Sequence, residues 1–263
     1  MGVFQNNLLA GAGGQASGAA AFYDYQIEQS MRFDSASSTN MYLAGGATSG
    51  NNDYWTFSFW YKGASLPSGT SQEFLSAGNG SNGVNSDNLL RIGLLDQSNG
   101  AIIRVNSGAT NIIDTTAKFR DPGGWSHIVW NNNNGSSVLY LNGTQVGSGT
   151  LDGGSGSAIN KANGMYISRG RVSASKYVDG YLAEVMMISA SSSAGTLTPS
   201  SFGETKNGVW VPKDISGLSN QDFYLKFENA SDLGNDSSGN NRDWSPANHG
   251  TDHQVLDSPT FGS

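Results

Sequence analysis

The chain of 263 residues contains no cysteine, so neither disulfides nor thiolate metal sites can staple it. Charge is also scarce, at 13% of residues against about 25% in an average soluble domain. Its place is taken by 36 glycines and by many Asn, Ser and Thr residues, which give a polar but weakly charged surface. The 14 basic residues against 21 acidic ones leave a formal charge of -7, and the basic ones are scattered singly. A phosphate-backbone binder gathers them into a patch, so no nucleic-acid partner is expected. Nor does any run approach the roughly 18 apolar residues of a membrane helix. The densest, Val185-Met-Met-Ile188, is a strand's worth, and no membrane insertion is expected. No Lys or Arg precedes Arg32, so the basic start of a secretory signal is missing and folding without export is expected.

What the chain does have is a period of two. In Trp55-Thr-Phe-Ser-Phe-Trp-Tyr-Lys62 the residues Trp55, Phe57, Phe59 and Tyr61 share one face of a strand, the core face. Thr56, Ser58, Trp60 and Lys62 share the other, where Trp60 is either a second-layer packing residue or an exposed aromatic. Further strands are predicted at 30–33, 41–43, 89–94, 101–105, 111–114, 126–131, 137–141, 165–168 and 181–189. Between them lie Asn99-Gly100, Asn134-Gly135, Asn142-Gly143 and Asn163-Gly164, pairs that tolerate the positive φ angles of tight hairpins. No helical periodicity competes, and the expected class is all-β. Length permits a single sandwich domain with tails.

Residues 1–29 open with a Gly/Ala-rich stretch whose small side chains cannot form a core. They read as a disordered leader or as a docking arm anchored by Phe22, Tyr23 and Tyr25. Residues 191–263 form an extension in which Phe223, Leu225 and Phe227 alternate with Tyr224 and Lys226, which returns one strand, about 222–228, to the sandwich.

Five segments, taken in order, resemble a known family. They are Ser30-Met-Arg-Phe-Asp34, Trp55 to Trp60, Trp125-Ser-His-Ile-Val129, Leu139-Tyr-Leu-Asn-Gly143 and Asp179-Gly-Tyr-Leu-Ala-Glu-Val185. Together they resemble the concanavalin A-like lectin and glucanase superfamily on its laminin G-like side. The resemblance implies a two-sheet antiparallel jelly-roll sandwich over residues 30–190. A second resemblance rests on the Gly/Ala-rich leader, Asp121-Pro-Gly-Gly-Trp125, Phe202-Gly-Glu204, Gly208-Val-Trp-Val-Pro212 and Val255-Leu-Asp-Ser-Pro259. These look like virion proteins of marine tailed phages. That likeness implies a non-enzymatic capsid-decoration, fibre or tail component, exposed on a particle assembled in the host cytoplasm. Its expected partners are other virion proteins, further copies of itself and host-surface glycans.

The alternatives are a polysaccharide hydrolase or lyase of the same superfamily, and a free calcium-dependent lectin. The superfamily's glucanases resemble one another in an E-x-D-x-x-E strand, absent here, whose carboxylates sit about 5 to 5.5 Å apart for retaining hydrolysis. Asp179 and Glu184 are an odd number of residues apart and face opposite ways on a regular strand. No catalytic residue and no required cofactor is predicted. His249 and His253 are spaced for a metal only on a helix, which Gly250 opposes. His127 belongs to packing or a hydrogen bond. Relatives often bind calcium, and Asp179, Asp236, Asn240 and Asp243 are oxygen donors of the right kind, although Asp and Asn favour turns for backbone reasons too. The metal question stays open. For glycan contact the candidates are Trp130 with Asn131, where an aromatic plane adjoins an amide, and Arg169, Arg171 and Tyr177 on the loop before the last strand. Trp130 also reads as a core tryptophan, and the arginines as contacts to a neighbouring subunit.

Overall fold

The computed structural model describes residues 22–45, 53–78, 89–151, 159, 164–171 and 174–260. Residues 1–21 of the proposed arm and Asn163 lie outside them. Along the chain run β1 (Ser30–Phe33), β2 (Asn40–Leu43), β3 (Tyr54–Gly63), β4 (Ser71–Ala77), β5 (Leu90–Gln97) and β6 (Gly100–Ser107). Next come β7 (Thr110–Asp114), β8 (Ser126–Asn133), β9 (Ser136–Leu141), β10 (Thr144–Thr150), β11 (Met165–Ile167) and β12 (Gly180–Ala190). The extension adds β13 (Gly203–Lys206), β14 (Val209–Pro212), β15 (Gln221–Leu225), β16 (Ser245–Ala247) and β17 (Gln254–Val255).

These strands form two large antiparallel sheets, as the alternating pattern requires. One has eight strands in the order β10-β9-β8-β3-β12-β1-β17, with β15 also paired to β12; the other has seven, β16-β2-β11-β4-β5-β6-β7. The hairpin turns carry the backbone their residues permit: φ is positive at Asn99, Asn134 and Asn142 and at the glycine after each. Trp55, Phe57, Phe59 and Tyr61 are all buried between the sheets. There they meet Ile128, Leu182 and Met187 from their own sheet and Met41, Leu75, Ile92 and Val105 from the other. At roughly 1.5–3 kcal/mol per buried large side chain, this layer is the main source of stability in a chain without disulfides.

Within residues 30–190 two strands escaped the periodicity. In β4 the register shifts between Glu73 and Leu75, so Phe74 and Leu75 both enter the core and the alternation is broken. In β10, Thr-Gln-Val-Gly-Ser-Gly-Thr offers little hydrophobic signal. Its glycines are there because a Cβ on Gly147 or Gly149 would collide with Ile113 or Ile112 of β7, where the sheets meet at the sandwich edge.

The outward face of the eight-stranded sheet is covered by a second layer built from the extension and residues 25–27. Val129, Met186 and Ile188 cluster with Phe202, Ile215 and Tyr224, while Trp60 and Ala183 cluster with Ile27, Tyr25, Trp125 and Trp210. Trp60 is therefore a packing residue. Hydrogen bonds stitch the layer down: Thr56 Oγ1 donates to Gly195 O at 2.9 Å and accepts from Leu197 N at 2.8 Å. The strand expected near 222–228 lies alongside β12 as β15, with Met186 opposite Tyr224.

Candidate functional site: the open face of the seven-stranded sheet

The seven-stranded sheet has no such cover: among the described residues the three buried hydrophobic clusters are the inter-sheet core and the two on the far side. Its outward residues are those that alternate with core positions. Strand register aligns them into one transverse row: Tyr42 of β2, Tyr166 of β11, Ser76 of β4, Arg91 of β5, Asn106 of β6 and Asn111 of β7. A second row holds Glu73, Gly93, Arg104 and Asp114.

Each row has fixed internal chemistry. The buried Glu73 carboxylate receives Lys176 Nζ at 3.0 Å and lies 3.6 Å from Arg91 Nη1. Arg104 clasps Asp114 through two bonds of 2.6 Å each. Between them Gly93 leaves the floor bare; a side chain there would run into the backbone of Gln72 and Glu73, at the β4 bulge. The result is a groove of about 200 Å³ lined by Glu73, Arg91, Arg104, Asn106, Asn111 and Lys176. Beyond Ser76 the tyrosines pack with ring centroids 4.8 Å apart. Arg169 and Arg171 lie over Tyr166 at 4.3 and 5.4 Å from its centroid. Glu73 and Asp114 are three strand spacings apart, about 14 Å. That is beyond either carboxylate separation used for glycoside hydrolysis.

Several expected site residues are placed elsewhere. Trp130 is 0% exposed, set edge-on to Trp55 at 4.6 Å and donating to Ser137 Oγ at 2.7 Å, so no sugar can reach its face. Asn131 is 3% exposed and donates to Leu197 O beneath the second layer. Tyr177 lines a neighbouring hollow with Ser35, Leu66 and Gln72. Tyr25, expected to anchor an arm onto another molecule, instead bonds Glu184 Oε1 of its own chain at 3.2 Å. Tyr23 is half-buried and only Phe22 is exposed, its ring edge-on to Tyr23 at 4.9 Å. Arg169 and Arg171 do reach the open face. Tyr42, Tyr166, Arg91, Arg104, Asn106 and Lys176 were missed; Tyr42, Tyr166 and Arg91 each sit between two core residues on predicted strands, so their outward direction was readable.

A third polar group, Ser58, His127 and Glu184, resembles a nucleophile, base and acid but is wired otherwise. The indole of Trp210 can only donate, and it gives its N–H to His127 Nδ1 at 3.1 Å. Nε2 therefore carries the proton and donates to Ser58 Oγ at 2.9 Å, leaving no base for the hydroxyl. Burial depresses the His127 pKa to about 3, so the ring stays neutral. Glu184 sits on a bulge of β12 with φ of 49°, which overturns the regular-strand reading that set it opposite Asp179. Burial raises its pKa to about 7, with hydrogen bonds from the Tyr224 and Tyr25 hydroxyls opposing.

The oxygen donors considered for calcium serve loops. Asp236 accepts from Tyr224 N, Ser238 N and Arg242 N, and Asp243 accepts from Asp236 N. Asn240 donates to Gln221 O, and Asp179 takes the Ser65 hydroxyl at 2.6 Å. Asp179 precedes Gly180, six residues of β12 from the Met186 that pairs with Tyr224, roughly 20 Å away, so these donors do not converge. Among the described residues no three His, Cys, Asp or Glu side chains gather as a metal site would need. His253 belongs to a single 3-10 turn, its Nδ1 accepting from Gly250 N at 2.9 Å.

Two stacked sheets with this topology and one uncovered polar face are the architecture of lectin-like domains. The chain belongs to the Concanavalin A-like lectin/glucanases superfamily, whose sequence pattern matches residues 35–197. A search of the curated proteins gives no match. Among solved structures it is similar to a Bacteroides ovatus protein provisionally described as carbohydrate-binding. That pair has 13% identity and a TM-score of 0.56, covering 84% of this chain and 58% of the other. It is also similar to domains LG4-5 of the mouse laminin alpha1 chain, at 12% identity, 61% and 41% coverage and a TM-score of 0.42. A third similarity is to the CBM40 domain of the Ruminococcus gnavus IT-sialidase, at 15% identity, 69% and 96% coverage and a TM-score of 0.45. The chain spans less than two thirds of the Bacteroides protein, and at these identities the likeness concerns the fold.

Proposed function

We propose that this protein is a non-enzymatic attachment module that binds glycans through the open face of its seven-stranded sheet. The observation that carries the reading is the transverse row of Tyr42, Tyr166, Ser76, Arg91, Asn106 and Asn111. Amides and hydroxyls hydrogen-bond sugar hydroxyls, and the groove beside them is concave enough to exclude water on one side. The separation of Glu73 and Asp114 and their engagement by cations support binding without turnover. The phage-like segments of the sequence support a place on a virion, as a decoration, fibre or tail component present in several copies and exposed to host-surface glycans. In that setting the covered sheet supplies a rigid platform for the open face.

A glycan panel probed with the purified protein, together with reducing-end assays on every polymer bound, tests this reading. Saccharide binding with no new reducing ends supports it; release of oligosaccharides sinks it. Cryo-EM of particles from an infected host would test the virion assignment separately.

A further inference from the structure

The open face departs in charge from the rest of the molecule. Arg91, Arg104, Arg169, Arg171 and Lys176 gather on or beside it, yet its two carboxylates, Glu73 and Asp114, engage only Arg91, Arg104 and Lys176. Among the described residues an excess of three positive charges therefore lies on this face, in a chain whose formal charge is -7. Arg169 and Arg171 have no carboxylate partner among the described residues. They are held instead by the Tyr166 ring, and Arg171 Nε also donates to Gly78 O at 3.0 Å. The Nε atoms of Arg91 and Arg169 are buried without any acceptor, which is uncommon for such groups and costs stability unless something supplies one. Guanidinium groups pre-set on an aromatic ring, whose outer N–H groups have no acceptor among the described residues, suit a planar or tetrahedral anion.

Building on the glycan reading above, we infer that the ligand is an anionic polysaccharide, whose carboxylate or sulfate groups meet Arg169, Arg171 and Arg91 while its hydroxyls meet Asn106 and Asn111. The two parts are adjacent: Tyr166, which carries the arginines, and Arg91 flank Ser76 on neighbouring strands, about 10 Å apart. A polyphosphate such as DNA is disfavoured, because the amides and hydroxyls of the row match a polyol and the remaining surface is acidic.

The test is affinity electrophoresis and calorimetry of the full chain with dextran, polygalacturonate, dextran sulfate and single-stranded DNA. Polygalacturonate or dextran sulfate should bind at least about tenfold more tightly than dextran, and the preference should shrink as salt is raised. Which of the two binds decides between carboxylate and sulfate. The double variant Arg169→Gln/Arg171→Gln should lose that preference while keeping its circular dichroism spectrum, and Lys226→Gln on the other sheet should not. Equal binding of dextran and the charged polymers, or an unchanged double variant, overturns the inference and leaves the glycan reading standing. Tighter binding to DNA than to any saccharide overturns it too, and binding of no saccharide at all removes both.

Discussion

Two rows that cross the molecule in the same way have opposite fates. On the eight-stranded sheet, outward residues Tyr140, Val129, Ser58, Met186 and Tyr224 align across five strands. On the seven-stranded sheet the corresponding row reads Tyr42, Tyr166, Ser76, Arg91, Asn106 and Asn111. The first carries Val129 and Met186 because the extension lies on it, and its polar members are consumed internally, Ser58 by His127 and Tyr224 by Glu184. The second is polar because water, or a ligand, is its other partner. A sandwich whose outer faces differ this much spends one on stability and leaves the other for the recognition proposed above.

The sharpest way to break the comparison is to substitute the two kinds of aromatic. Trp130→Ala should destabilise the protein by about 3–5 kcal/mol, because a fully buried ring and its contact with Trp55 are lost. Urea unfolding would measure it. A loss below about 1 kcal/mol would mean that Trp130 is not a core residue.

The second layer makes a pH prediction of intermediate size. Glu184, raised from 4.5 to about 7, favours folding when protonated. Its contribution is full below pH 4.5 and is lost as the pH rises to about 7. His127, depressed from 6.5 to about 3, favours folding when neutral, so its contribution is full above 6.5 and is lost as the pH falls to about 3. Between roughly pH 4.5 and 6.5 the two slopes oppose each other. Wild-type stability should be nearly flat there, whereas Glu184→Gln should gain stability as the pH rises through that window. Melting curves from pH 4 to 8 would decide the matter; parallel profiles for the two proteins would refute it. A smaller effect is expected at the seam: Thr56→Val removes the two hydrogen bonds that hold Gly195 and Leu197. It should cost on the order of 1 kcal/mol, read as earlier amide exchange in residues 193–218.

The all-β class and the inward aromatics of β3 were legible because alternation reports burial on one face directly. Within residues 30–190 the strands that were not legible broke the period for physical reasons, the bulge at Glu73 and Leu75 in β4 and the close glycine contacts of β10, while the two- to four-residue strands β13, β14, β16 and β17 of the extension are too short to carry a period. The candidate site was legible only in part. Alternation gives the direction of Tyr166 or Arg91 but not whether that side is covered, since a second layer is supplied by residues more than 70 positions away, as when Phe202 packs near Val129 or Tyr25 meets Glu184. Trp130 and Asn131 were misplaced for the same reason: an aromatic plane beside an amide suggested a sugar contact, and the register turned one residue into the core and the other under the extension.

The smallest structural effect belongs at the far end of the open row, and it separates recognition from stability most cleanly. Asn111 is exposed, and its Oδ1 accepts from Asn106 Nδ2 at 2.7 Å. Asn111→Ala should change stability by no more than about 0.5 kcal/mol, a melting shift of about 2 °C or less for a domain of this size. Because Asn106 would then be released from its fixed orientation, a sugar bound as proposed would lose a pre-set acceptor, Asn106 Oδ1, and glycan affinity should fall several-fold. Calorimetry and thermal melting on the same sample would show whether the two quantities part company. If affinity and melting temperature fell together, the row would be a structural feature of the sheet edge, and the contrast between the two faces would lose its functional meaning.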